Sequence, residues 1–231
     1  MKNNSIFFKQ DLILAVNKPT GWTSFDVVKK IRVLTKIKKV GHAGTLDPFA
    51  KGLLLICTGG ATKKVTHLIQ QPKQYLVEIA LGYETDTMDL TGEIIREMPV
   101  PDISEENIRK VILDYEGEIQ QEIPKYSAAK YKGQRLYKLA RKGKKVPLLF
   151  KHVNIYGIKL LSHSNKIINI SVDCSSGTYM RTLARDICKD LKTAGHVKSL
   201  IRTRIGDYHL DNALTIDDLT EIYNPEPTIV S

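Results

Sequence analysis

Gly41-His42-Ala43-Gly44-Thr45-Leu46-Asp47-Pro48-Phe49-Ala50-Lys51-Gly52 places three glycines, a proline and one carboxylate within twelve residues. The glycines permit tight turns and close approach of a partner. Pro48 steers Asp47 away from helical geometry towards an extended or turn conformation. Directly behind follows Leu53-Leu54-Leu55-Ile56-Cys57, an apolar run with the length of a buried strand. The stretch therefore reads as an acid held on a loop that opens into a core strand, which suits a catalytic carboxylate. An Asp-Pro turn with no chemical role accounts for these twelve residues equally well.

Upstream, Leu12 to Val16 reads as a buried strand closed by the turn Lys18-Pro19-Thr20-Gly21. Thr23 with Asp26 forms a capping box, and Val27, Ile31 and Leu34 predict a helix over 24–35. Lys29, Lys30, Arg32, Lys36, Lys38 and Lys39 make a cationic patch that leads into the Gly41 loop. Downstream, Gly59-Gly60 turns the chain into a short helix, and Tyr75 to Leu81 alternates as a half-buried strand. A loop rich in Thr and Asp (82–92) precedes a strand at 93–98 and a helix capped by Ser104. A short helix is expected at 136–142, then strands at 153–161 and 167–174 joined by Ser162-His163-Ser164-Asn165. The next helix aligns Leu183, Ile187 and Leu191 and is expected to end at Gly195; a strand at 200–205 and a helix capped by Thr215 follow. Strands outnumber helices without regular interleaving, which predicts an α+β fold with a mixed sheet.

The 231 residues suffice for one large domain or two small ones. No apolar run reaches the ~18 residues of a membrane span, and no signal-peptide segment opens the chain. Cys57, Cys174 and Cys188 form neither a metal quartet nor a disulfide framework, so a reducing cytoplasm is expected. Net charge is +10, and 12 of the 35 Lys and Arg residues lie between Ile123 and Val172, where there is no Asp or Glu. The other 23 bases face 25 acids, so the whole basic excess sits in one block. Tyr126, Tyr131 and Tyr137 are interleaved there, the mixture that suits unpaired nucleotides. A solvated lysine-rich surface is the plainer alternative.

The six histidines show no ligand spacing with acids or cysteines, so no metal is expected. A Walker loop, a dinucleotide fingerprint and a serine elbow are absent. What remains is a lone acid on a glycine loop, a basic surface and spaced tyrosines.

These residues resemble the TruB-type tRNA pseudouridine synthases. Gly41 to Pro48 is similar to the family's catalytic signature, and Asn17-Lys18-Pro19-Thr20-Gly21-Trp22-Thr23-Ser24 to its opening strand and turn. Lys73-Gln74-Tyr75 with Thr85-Asp86-Thr87-Met88-Asp89 resembles a second motif, and Cys174 to Leu183 a third. Tyr126-Ser127-Ala128 through Gly143 resembles the insertion that grips tRNA.

The resemblance implies the pseudouridine-synthase α+β fold, with a mostly antiparallel mixed sheet, flanking helices and a basic insertion at about 123–152. It implies isomerisation of uridine 55 in the tRNA T arm by base flipping, without a cofactor. Asp47, Tyr75 and Arg181 are the implied catalytic set, with Arg181 pairing the carboxylate. His42, Tyr179, Leu200, Lys18, Gly44 and Thr45, with Lys130, Arg141, Lys142, Lys144 and Lys145 from the basic block, are the implied substrate-binding set. A catalytic domain over 1–210 and a short helix and tail over 211–231 are expected, without the small C-terminal RNA-binding domain common among bacterial members. The partner is tRNA, with no membrane and no obligate protein, and the chain is expected to be a monomer. Lys125 stands where a second proline is expected after Pro124. Two rivals stay open: a non-catalytic RNA-binding module, and the guide-RNA-dependent relative of the family.

Overall fold

The computed structural model describes residues 11–144 and 146–223. The elements begin with β1 (Ile13–Lys18), α1 (Ser24–Thr35), β2 (Val40–His42), β3 (Lys51–Thr58), α2 (Val65–Gln70), β4 (Lys73–Leu81), β5 (Tyr83–Thr85) and β6 (Ile94–Glu97). Then come α3 (Glu105–Leu113), β7 (Gly117–Glu122), β8 (Lys130–Tyr131), β9 (Gln134–Arg135), α4 (Leu136–Arg141), β10 (Phe150–Ser164) and β11 (Ile167–Cys174). The chain closes with α5 (Met180–Asp190), β12 (Gly195–Ile205), β13 (Tyr208–His209) and α6 (Ile216–Tyr223). Two compact units result, one holding the chain up to Gln71 and from Ile201 on, the other Pro72–Leu200.

The first unit is built around β3, whose residues are buried on both faces from Gly52 to Thr58. Leu54 and Ile56 pack with Leu14 and Val16 of β1 and with Val27, Val28, Ile31 and Leu34 of α1. Leu53, Leu55 and Cys57 face the other way, against Ala61, Leu68 and Ile205. The unbroken apolar run is thus two alternating sets feeding two clusters, as expected of a strand covered on both sides. β1 and β2 run antiparallel to β3, while β12 pairs parallel to it at Ile201↔Lys51 and Arg202↔Gly52. α1 starts and ends where the sequence places it. Thr23 and Asp26 form the capping box, and Lys36 closes the helix in the left-handed region at φ 59°.

In the second unit β4, β11, β10 and β7 pair antiparallel in that order, with Tyr75 opposite Val172. α5 buries Met180, Leu183, Ala184, Ile187 and Cys188. β8 and β9 form a small hairpin whose turn, Lys132-Gly133, has positive φ at both residues. The whole is α+β with mostly antiparallel, mixed pairing.

Three expectations are corrected. β7 was not foreseen, because Gly117-Glu118-Ile119-Gln120-Gln121-Glu122 lacks apolar alternation and depends on its pairing with β10. The loop over 82–92 holds β5, which pairs with β6. α5 ends before Lys192, which takes φ 62°, and Gly195 instead opens β12. A Cβ at Gly195 would lie 2.8 Å from the Ala80 carbonyl oxygen, so close packing rather than helix capping demands glycine there.

Candidate active site

Within the first unit, Ala43, Leu46, Phe49 and Ala50 are buried while Asp47 is half-buried and Thr45 and Pro48 are exposed. The loop is therefore pinned by its apolar residues with the acid between two of them. Its backbone is gripped from both ends. Ser24 Oγ, at the start of α1, accepts from the Leu46 N–H at 2.9 Å, and the Gly21 N–H donates to the Pro48 carbonyl at 2.8 Å. Gly44 adopts φ 96°, a conformation that L side chains rarely adopt.

Two buried cations complete this grip. The Lys18 ammonium donates to the carbonyls of Trp22 (2.6 Å), Pro19 (2.9 Å) and Pro48 (3.4 Å). The Arg202 guanidinium donates to Leu53 O (2.7 Å), Thr45 O (3.3 Å) and Gly44 O (3.3 Å). Burial, reinforced by the Arg202 charge, lowers the Lys18 pKa to about 8, against the pull of Asp47 and Asp26. Lys18 has no exposed surface, so in this structure it holds the Asp47 loop through its backbone rather than presenting an ammonium to a ligand. Arg202 was missed by sequence reasoning. The available signal was its phase: it sits two residues after buried Leu200 on the same strand.

The second unit holds Tyr75, Tyr179, Arg181 and Leu200. Tyr75 is buried on β4, and Leu200 on β12. Arg181, 4% exposed at the start of α5, donates to Thr87 O and Tyr126 O at 3.0 Å each and stands 3.6 Å from the Asp89 carboxylate. Asp89 Oδ1 in turn accepts from the Thr87 hydroxyl (2.8 Å) and from the Thr91 hydroxyl (2.5 Å) and N–H (2.9 Å). The threonine-rich loop is thus a cradle for one buried carboxylate. Gln121 straps Tyr179, accepting from its N–H at 3.0 Å and donating to its carbonyl at 3.4 Å. Asp89 stood in a motif without a role of its own and Gln121 was missed, since neither the Arg181–Asp89 nor the Tyr179–Gln121 pairing is local in sequence.

Of the remaining expected residues, His42 is half-buried at the end of β2 in the first unit. Lys130, Arg141, Lys142 and Lys144 are exposed in the second. Lys145 lies outside the described residues. Three tyrosines of the basic block carry a cation near the ring: Lys125 on Tyr126 (4.9 Å), Lys132 on Tyr131 (5.5 Å) and Arg141 on Tyr137 (5.6 Å). Among the described residues no group of three or more His, Cys, Asp or Glu side chains could hold a metal ion, and no helix is long and apolar enough to cross a membrane.

Residues 32–180 match the family model of the TruB family pseudouridylate synthase N-terminal domain, and residues 181–227 that of the tRNA pseudouridylate synthase B C-terminal domain. The tRNA pseudouridine synthase B of Caldanaerobacter subterraneus subsp. tengcongensis is 45% identical, over 91% of this chain and 74% of its own length. That of Parabacteroides distasonis is also 45% identical, over 90% of this chain and 93% of its own length. Among solved structures, a chain of the archaeal box H/ACA sRNP Nop10–Cbf5 complex superposes with a TM-score of 0.69 at 25% identity. The match covers 96% of this chain and 56% of that one, so this chain spans little more than half the solved chain's length.

Proposed function

The chain belongs to the TruB family of pseudouridylate synthases, and from that premise we propose that it isomerises uridine to pseudouridine in the T arm of tRNA, at uridine 55. In this reaction the N1–C1′ glycosidic bond breaks and a C5–C1′ bond forms within the same nucleotide. The C5 hydrogen leaves to solvent and N1 takes up a proton, so atoms balance without a co-reactant. The target must first swing out of its stack, because its reacting atoms are otherwise enclosed.

One observation carries the assignment of the acid. Asp47 is half-buried on a loop whose backbone, on both sides, is fastened by Ser24, Lys18 and Arg202. A nucleophilic or charge-stabilising carboxylate needs that fixed position. Asp47 acts on C1′ or on the uracil ring, Tyr75 stacks on the flipped base and Arg181 supplies the charge that keeps Asp47 ionised; the family resemblance supports these roles. Tyr179, Leu200 and His42 line the nucleotide's surroundings, and the exposed cations at 130, 141, 142 and 144 take phosphates. The catalytic domain takes in the described residues up to 210, and α6 (Ile216–Tyr223) is a short helix after it. The chain acts in the cytoplasm as a monomer, needing no obligate protein partner.

Tritium release from 5-³H-uridine tRNA tests the proposal. Wild type should release it from a bare transcript without other proteins or guide RNA, and Asp47→Asn should abolish release while tRNA affinity stays nearly unchanged. Release that persists in Asp47→Asn removes the residue from the mechanism.

A further inference from the structure

Helix α1 buries one stripe, Val27, Val28, Ile31 and Leu34, against β3. Among the described residues the opposite stripe is left exposed, yet it is not simply polar. Phe25 is 51% exposed and Val33 73% exposed, with Lys29 between them at i+4 spacing. The Lys29 ammonium lies 5.1 Å and the Arg32 guanidinium 5.8 Å from the centroid of the Phe25 ring. Arg32 is fixed there by donating to the Val40 carbonyl at 3.0 Å. Beyond the helix, Lys36, Lys38 and Lys39 are exposed. From Val27 to Leu46 there are six Lys or Arg residues and no Asp or Glu. Of the two acids that border this span, Asp47 is the candidate catalytic residue, and Asp26 is engaged by the capping box and by Lys29 at 3.5 Å.

A half-exposed aromatic ring flanked by cations is the combination that takes an unpaired base on the ring and phosphates on the ammonium groups. Phe25 is absent from the core cluster that α1 builds, and the excess of positive charge selects a polyanion over an acidic or apolar protein surface. Its place in the fold adds the rest. Phe25 follows Ser24, and Ser24 Oγ accepts from the N–H of Leu46, the residue before Asp47. Two backbone steps and one short side chain therefore separate Phe25 from Asp47, within about 15 Å between their Cα atoms. The lysines at 36, 38 and 39 precede β2, which leads into the same loop.

We propose that the outer face of α1 is a second RNA-contact surface: Phe25 stacks on an unpaired base near the target nucleotide, and Lys29, Lys36, Lys38 and Lys39 hold the adjoining phosphates. This rests on the reading of the chain as an enzyme of tRNA, and it assigns RNA contacts outside the basic block at 123–172.

The test is tRNA binding by the full chain, with an unmodified transcript titrated between 50 and 300 mM salt. Replacing Lys36, Lys38 and Lys39 together with Gln should reduce the slope of log affinity against log salt by about two, since each phosphate contact contributes roughly 0.7 to 0.9. Phe25→Ala should weaken binding about fivefold at every salt concentration with the slope unchanged, and Phe25→Trp should restore it. All these side chains are exposed, and unaltered thermal melting confirms that the variants fold. Native affinity and native slope in both the triple variant and Phe25→Ala overturn the proposal. A wild-type chain that binds tRNA but makes no pseudouridine overturns the enzymatic reading instead, and the slope comparison still decides α1.

Discussion

Arg202→Met tests whether the loop bearing Asp47 is held from beneath. The guanidinium is 1% exposed and donates to three backbone carbonyls, of which the Leu53 contact at 2.7 Å is the strongest and the two at 3.3 Å are weaker. A buried carbonyl left without its donor costs about 1–3 kcal/mol. Counting one full loss and two partial ones gives roughly 3–5 kcal/mol. Part is returned, because removing a buried charge removes its desolvation cost and its repulsion of Lys18. The net expectation is a loss of about 2–4 kcal/mol, seen as a fall in melting temperature of roughly 5–10 °C for a chain of this size. The catalytic effect should be separable. Thr45 and Gly44 lose their anchor two and three residues before Asp47, and a displacement of about 1 Å at a reacting group can cost about 10²-fold in rate. Single-turnover rates at saturating tRNA report this step free of product release. They should fall about 10²-fold with KM changing less than threefold, and Arg202→Lys should recover the charge but only part of the rate, since one ammonium cannot replace a planar fork. A native single-turnover rate in Arg202→Met, at temperatures where it is folded, refutes the reasoning. A raised KM with intact rate moves Arg202 into substrate binding.

Lys18 gives a pH signature: its folded pKa lies near 8 against 10.5 for an ordinary lysine, so the unfolded chain binds the extra proton between those values and stability rises with pH across that window. The rise is on the order of 2–3 kcal/mol, chemical denaturation at pH 8 and 10.5 measures it, and Lys18→Met should remove it. In Gly52→Ala the new methyl group would meet the Arg202 carbonyl oxygen at 2.5 Å, at a φ of 108° that alanine resists, so it should displace the same strand. Its effect on the single-turnover rate should then be strongly non-additive with Arg202→Met, and additive rates in the double variant would show that the two act on different things. Neutralising Lys142, Lys144 and Lys145 should weaken tRNA binding and lower the salt slope by about two to three, and an unaltered slope would move the RNA footprint elsewhere.

What could be read from the sequence was whatever the chain encodes locally. The limits of α1 follow from a capping box three residues wide and an apolar stripe of period 3.6, both of which a short window contains. β3 was legible because a strand covered on both faces is apolar at every position. β7 was not, since Gln and Glu fill it and its partner lies some thirty residues away on β10. Gly195 misled for a related reason. Glycine after a helix reads as a cap, but here it answers to the Ala80 carbonyl and the Cys188 side chain, which the fold brings up from elsewhere.

The same division explains what was legible of the candidate site. Asp47 could be singled out as the one acid on a loop of glycines and a proline, although an Asp-Pro turn explained it equally well until the family motif was read. The supports of Asp47 could not. Arg202 is an arginine in the middle of a strand, and by composition alone it belongs to the solvent. Its burial is intelligible only once three carbonyls are seen to converge on it. There is a physical reason to fasten such a loop by its backbone. A carboxylate that must exchange partners during a reaction cannot also be the fixed point of its own loop, whereas carbonyls at Gly44, Thr45 and Pro48 keep their donors while the side chain changes state. Two buried cations then serve together: the hydrogen bonds of both hold the loop, and the Lys18 charge attracts that of Asp47. Burying Lys18 and Arg202 close together costs stability, as the depressed pKa of Lys18 records. A fold selected for stability alone would have replaced that pair with apolar side chains, so its presence beneath Asp47 is itself an argument that the loop is built for chemistry.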